Sequence, residues 1–231
     1  MKSWVATPIF ALLLAICAVL PAAAQCKTNC CTDPKKMKSC ATDEAGDRLS
    51  YAEKALRENV LEVQIESGAM WSVGYSGNVN YTMAPQFLTL NWNLDNIGLD
   101  DFWGGVFRGN TQWKTSFIGA PVLDGFENHM FGFAMGPQYN FVQPGWNLVP
   151  YISARVGLVF LDTTEDPRDI GQDFNFTFMV TPGARYFFSE HQSLGAHFIY
   201  QHISNGGLSE PEVKNRALDL IGFQVTYTYN F

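Results

Sequence analysis

His202, Ser204 and Asp219 are three residues whose types and spacing could do chemistry together. His202 and Ser204 stand two apart in the run Gln201-His202-Ile203-Ser204-Asn205-Gly206-Gly207. On a β-strand that spacing puts both side chains on one face. An imidazole there can take the proton of a serine hydroxyl as the oxygen attacks an acyl carbon. A carboxylate beside the imidazole fixes its tautomer and stabilises its cation. If Ser204 faces Ala217 across a hairpin, His202 faces Asp219, which supplies that carboxylate. Asn205 and the Gly206-Gly207 backbone, Gly207 included, are candidate oxyanion donors, because glycine lets amides approach a substrate closely.

These residues need strands to hold them. Leu194, Ala196, Phe198 and Tyr200 form the apolar parity of one strand, and His202 and Ser204 continue it. Asp219 shares the parity of Ile221, Phe223 and Val225 on the next. Similar alternation runs through Ile152 to Phe160, Phe174 to Val180 and Val225 to Phe231. The apolar faces are so aromatic, and the strands so long, that they suit a barrel facing lipid better than a soluble sandwich. Counting predicts eight strands: 61–75, 82–95, 102–119, 128–142, 148–162, 173–188, 192–204 and 217–231. The expected fold is all-β, an eight-stranded antiparallel transmembrane β-barrel over 61–231, its interior filled by side chains. Connections at 96–101, 143–147 and 189–191 read as short periplasmic turns, and those at 76–81, 120–127, 163–172 and 205–216 as extracellular loops. Arg108, Arg155 and Arg185 fall on the inward parity, where they can meet inward acids. A polar trio on a lipid-facing wall carries a free-energy cost, which favours a functional role over decoration.

Composition agrees. Aromatic residues make up 14% and charged residues 16%, with a net charge of −7, so nucleic-acid binding, which needs basic patches, is excluded. Residues 1–24 read as a signal peptide, with an apolar stretch from Ile9 to Leu20 and cleavage between Ala24 and Gln25. Residues 25–60 read as a periplasmic, cysteine-containing extension with a short amphipathic helix over 47–60. Cys26, Cys30, Cys31 and Cys40 suit two disulfides in an oxidising compartment. Joining the adjacent Cys30 and Cys31 is strained, which leaves two pairings open. Their spacing fits no standard zinc motif, and His191, His197 and His202 are irregularly placed for one metal. No metal or organic cofactor is implied. The chain also lacks a Gly-x-Ser-x-Gly elbow.

The pattern His-x-Ser-Asn-small-Gly on the penultimate strand of such a barrel resembles the PagL-type lipid A 3-O-deacylases and their acyloxyacyl-hydrolase-like relatives. The resemblance covers roughly residues 61–231 and is strongest from Pro150 onward. It implies Ser204 as nucleophile, His202 as base and Asn205 and Gly207 in the oxyanion region. Asn215 and Asp219 reproduce the family's Asn and its acid four residues on, with Asp for the usual Glu. The loop before Asn215 is about three residues longer than the family pattern, which keeps Glu212 and Glu210 as alternative acids. The chain is thus expected in the bacterial outer membrane, as an esterase cutting an acyl chain from lipid A of lipopolysaccharide in the outer leaflet. A non-catalytic envelope barrel and an esterase for another membrane lipid are the rival readings. Oligomeric state stays open, a homodimer included.

Overall fold

Alternation becomes nine strand segments: β1 (Leu61–Ser72), β2 (Thr82–Met83), β3 (Gln86–Asn93), β4 (Gly109–Asp124), β5 (His129–Phe141), β6 (Leu148–Leu161), β7 (Phe174–Phe187), β8 (Gln192–Ser204) and β9 (Leu218–Asn230). This computed structural model describes residues 49–73, 80–162, 170–210 and 217–231. The expected signal peptide, the four cysteines, Glu212 and Asn215 lie outside the described residues. Each strand pairs antiparallel with its neighbours, and β1 pairs with both β3 and β9, so the sheet closes on itself. β2 and β3 both lie between β1 and β4 and form one interrupted stave, giving a closed barrel of eight. The break falls at Ala84-Pro85, where proline has no N–H for the ladder.

Two expected elements shift. Strand three starts at Gly109 rather than residue 102, because Phe102–Gly105 forms a 3₁₀ turn with left-handed backbone at Trp103, Gly104 and Gly105. The strand instead continues to Asp124 at the other end. The turn expected at 96–101 is therefore part of a longer connection, 94–108. The helix expected over 47–60 is α1 (Tyr51–Ala55). Ser50 starts it through a reciprocal capping box with Glu53, and Leu56 leaves helical geometry.

The interior has three levels. At the end that carries Leu61 and Phe231, Ala52, Ala55 and Leu56 pack against Val142, Val149 and Phe187. Glu53 fastens this floor, accepting from Ser50 and Gly145 amides and pairing with Arg108 at 3.0 Å. Burial works to raise its carboxyl pKa, but those hydrogen bonds and the Arg108 charge outweigh it and hold it below the usual range. Above the floor lies a charged layer. Glu66 meets Arg155 at 3.2 Å, Lys114 at 3.9 Å and His197 at 3.6 Å, and Glu62 meets Arg185 at 2.8 Å. Arg155 and Arg185 thus find inward acids as expected, while Arg108 finds its partners at the floor. The far end is filled by Met70, Met83, Phe87, Met130, Met179 and Ile203.

The outer face is the reverse. Ile65, Leu88, Trp92, Phe117, Phe178 and Phe223 point outward and stay exposed. Large apolar side chains left in water forgo about 1.5–3 kcal/mol each, so this belt requires a hydrocarbon surround. Among the described residues no helix is long and apolar enough to cross a membrane.

Candidate active site

β8 carries the site because its even residues point outward and its odd residues inward. Ile203 is fully buried in the apolar plug and pins the strand from within. His202 and Ser204, on either side of it, face out and are half-buried. β9 pairs with β8 in the expected register: His202 lies opposite Asp219 and Ile203 opposite Leu218. On the other flank, Phe178 stands beside His202 and Phe176 beside Ser204.

The register brings His202 and Asp219 into contact. Nδ1 of His202 lies 2.8 Å from Oδ1 of Asp219, with side-chain exposures of 37% and 15%. A carboxylate at Nδ1 favours the tautomer that carries its proton there and leaves Nε2 as the basic nitrogen. Among the described residues nothing hydrogen-bonds Nε2, and none joins the Ser204 hydroxyl to the ring. Two residues of strand separate their Cα atoms by about 6.5 Å, within range of a side-chain rotation at a strand end.

Sequence reasoning missed Tyr200. Its hydroxyl donates to Asp219 Oδ1 at 2.6 Å, the same oxygen that meets His202. Tyr200 read as one more apolar lipid-facing residue. Its position two residues before His202, diagonal to Asp219 across the ladder, was the available signal.

Asn205 points the other way, as its odd parity dictates, and is fully buried. Its Nδ2 donates to the Ile170 carbonyl at 2.9 Å and to Ser209 Oγ at 2.8 Å. Its Oδ1 accepts the Gly207 amide at 2.8 Å. Asn205 therefore shapes the turn after β8, where Gly206 and Gly207 adopt φ of 65° and 82°, a region open to glycine. The Gly207 N–H is engaged by this contact, whereas among the described residues nothing engages the Gly206 N–H. Glu210 is exposed in that turn. The other histidines stand apart: His191 is in the β7–β8 turn, His129 begins β5, and His197 is inside the barrel.

The chain as a whole matches a known family. A family model described as lipid A 3-O-deacylase (PagL) matches residues 73–228. Among solved structures, the outer membrane enzyme PagL is 21% identical, over 73% of this chain and 98% of that one, with a TM-score of 0.46. Neisserial surface protein A is 12% identical, over 74% of this chain and 97% of that one, with a TM-score of 0.50. No curated protein matches. At 12% identity the likeness to Neisserial surface protein A shows the barrel fold alone, while the family model spans well over half the chain. The protein belongs to the lipid A 3-O-deacylase (PagL) family and resides in the bacterial outer membrane.

Proposed function

We propose that the protein is a serine esterase that removes an ester-linked acyl chain from the lipid A part of lipopolysaccharide. The observation that carries this is the 2.8 Å His202–Asp219 contact on the outward wall, with Ser204 on the same face beside Phe176. Ser204 Oγ attacks the ester carbonyl carbon as His202 Nε2 takes its proton. The tetrahedral intermediate collapses, the sugar oxygen leaves with that proton, and an acyl-serine remains. Water, deprotonated by the same nitrogen, then releases the fatty acid and restores Ser204. Asp219 orients His202 throughout. Asn205 and Gly207 form the oxyanion region by holding the turn, and the Gly206 amide donates to the developing charge. An ester in the outer leaflet reaches this wall sideways, without leaving the membrane.

Mass spectrometry of lipid A from cells expressing the wild type or Ser204→Ala tests the reading. The wild type is expected to yield lipid A short of one acyl chain, and Ser204→Ala to lose about 10⁴-fold or more in rate. Unchanged acylation beside a correctly inserted wild-type barrel would sink the assignment. Purified protein given phospholipid and lipid A vesicles separates the two substrate classes, and sizing the same preparation distinguishes a monomer from a homodimer.

A further inference from the structure

We infer that residues 94–108, which join β3 to β4, form a foot seated in the glycerol and headgroup zone of the periplasmic phospholipid leaflet. The connection lies at the end that carries Leu61 and Phe231, opposite the site. The other connections at that end, 142–147 and 188–191, are short, as periplasmic turns are. This one is long and apolar. Leu99, Phe102 and Val106 are more than half exposed, and Trp103 is 77% exposed.

The foot is built, not loose. Gly98 and Gly109 exchange backbone hydrogen bonds of 2.8 and 3.0 Å across its neck. Arg108 Nε holds Asp100 at 2.7 Å, and Gln143 Nε2 donates to the Gly105 carbonyl at 3.1 Å. Leu99 and Trp103 both sit at positive φ, 62° and 51°. An L-residue is rarely held there, so the neck imposes a strained backbone at two residues whose apolar side chains stay exposed.

Continuity with the membrane belt identifies the occupant. Phe107 packs against Phe141 at 6.3 Å between ring centroids, and Phe141 against Tyr139 at 5.1 Å. Tyr139 and Phe141 lie on the outward parity of β5, so the cluster extends the lipid-facing wall at its rim. The Tyr139 hydroxyl donates to the Phe107 carbonyl and ties the two together. Arg108 is committed to Asp100 and Glu53, so the foot offers aromatic and aliphatic surface rather than a free cation. Aromatic side chains at a barrel rim favour the interfacial zone, where ring and headgroup dipoles meet.

The test uses the full chain refolded into glycerophospholipid vesicles that carry bromine on the acyl chains, near the glycerol or near the chain end. The emission difference between wild type and Trp103→Phe isolates the Trp103 component. Trp92→Phe provides the same difference for a residue on the outward wall of β3. Heat-dependent gel migration verifies insertion, and Trp103→Tyr replaces Trp103→Phe should that variant fail to insert. The Trp103 component is expected to be quenched at least about twofold more by shallow than by deep bromine, and to be shielded from aqueous iodide. A Trp103 component that iodide quenches and bromolipid leaves unchanged overturns the proposal, since a soluble partner or bare water would then face the loop. Stronger quenching by deep bromine overturns the interfacial placement. None of these readouts depends on deacylation, so the foot and the esterase stand or fall separately.

Discussion

β8 carries two histidines five residues apart, and each has a carboxylate near it, yet the two are built for opposite ends. His197 is inside the barrel, where its Nδ1 meets the Tyr151 hydroxyl at 2.8 Å and its Nε2 meets Gln224 at 2.9 Å and Glu66 at 3.6 Å. Both nitrogens are occupied, and its side chain is wholly enclosed. His202 is on the outer wall, with one nitrogen held by Asp219 and the other, among the described residues, without a hydrogen bond. An odd separation on a strand is all that divides them. A histidine beside an acid is thus no sign of catalysis by itself; the outer ring differs in that it stands on the outward face that Ser204 shares.

The sharpest way to break this contrast is to exchange the fates of the two rings. His202→Gln is expected to lower the deacylation rate by roughly 10³–10⁴-fold with little change in stability, and Asp219→Asn to fall in a similar range. His197→Gln should leave the rate within about threefold of wild type and weaken the barrel instead, by about 1–3 kcal/mol for the lost buried partners. Equal activity losses from both histidine variants, at equal folding, would erase the distinction. Glu66→Gln tests the inner side directly. It leaves Arg155 and Lys114 facing a neutral amide, at a cost of about 3–5 kcal/mol. Urea unfolding of vesicle-inserted protein reads this, and a shift under 1 kcal/mol, by the same reasoning, means the cations find other partners.

Tyr200→Phe refines the outer side. It removes one hydrogen bond to Asp219 Oδ1 and keeps the ring, so the rate should drop about tenfold while unfolding stays put. No change in rate would reduce Tyr200 to a rim tyrosine. The smallest effect belongs to Glu53, away from both rings. Its depressed carboxyl pKa means that its stabilisation is complete above the ordinary value of 4.5 and is lost as pH falls through the lower folded value. Glu53→Gln is expected to cost about 1 kcal/mol at neutral pH, and the gap from wild type should close in acid unfolding curves below that point. A gap that persists unchanged in acid would show that packing, not charge, holds the floor.

Period-two alternation carried most of the barrel and the central contact of the site. It put His202, Ser204 and Asp219 on one face and gave their cross-strand register, because a one-residue slip would bury the whole outward set. The same rule already placed the Asn205 side chain inward, alongside Gln201 and Ile203, and applying it there would have separated turn-shaping from direct donation. Tyr200 stayed hidden because parity reports which face a residue joins, not which neighbour its hydroxyl reaches. The 94–108 connection stayed hidden for another reason. Phe102, Val106 and Phe107 have the apolar character of a strand, and the left-handed backbone at Trp103 that turns them aside is a product of the folded neck. Pro85 lies inside the strand expected over 82–95, and its missing N–H accounts for the break between Thr82–Met83 and Gln86–Asn93.

β9 has a second duty besides facing β8. It is the strand that meets β1, and the Asp219 carbonyl accepts the Val73 amide at 3.0 Å just past the end of β1. The acid of the outer pair is therefore fixed on both sides only when the first and last staves have met. A sheet still open along that seam has its histidine and serine in place but an acid anchored on one flank. Closing the ring along that seam thus adds a second backbone anchor to the residue that β8 already holds through His202.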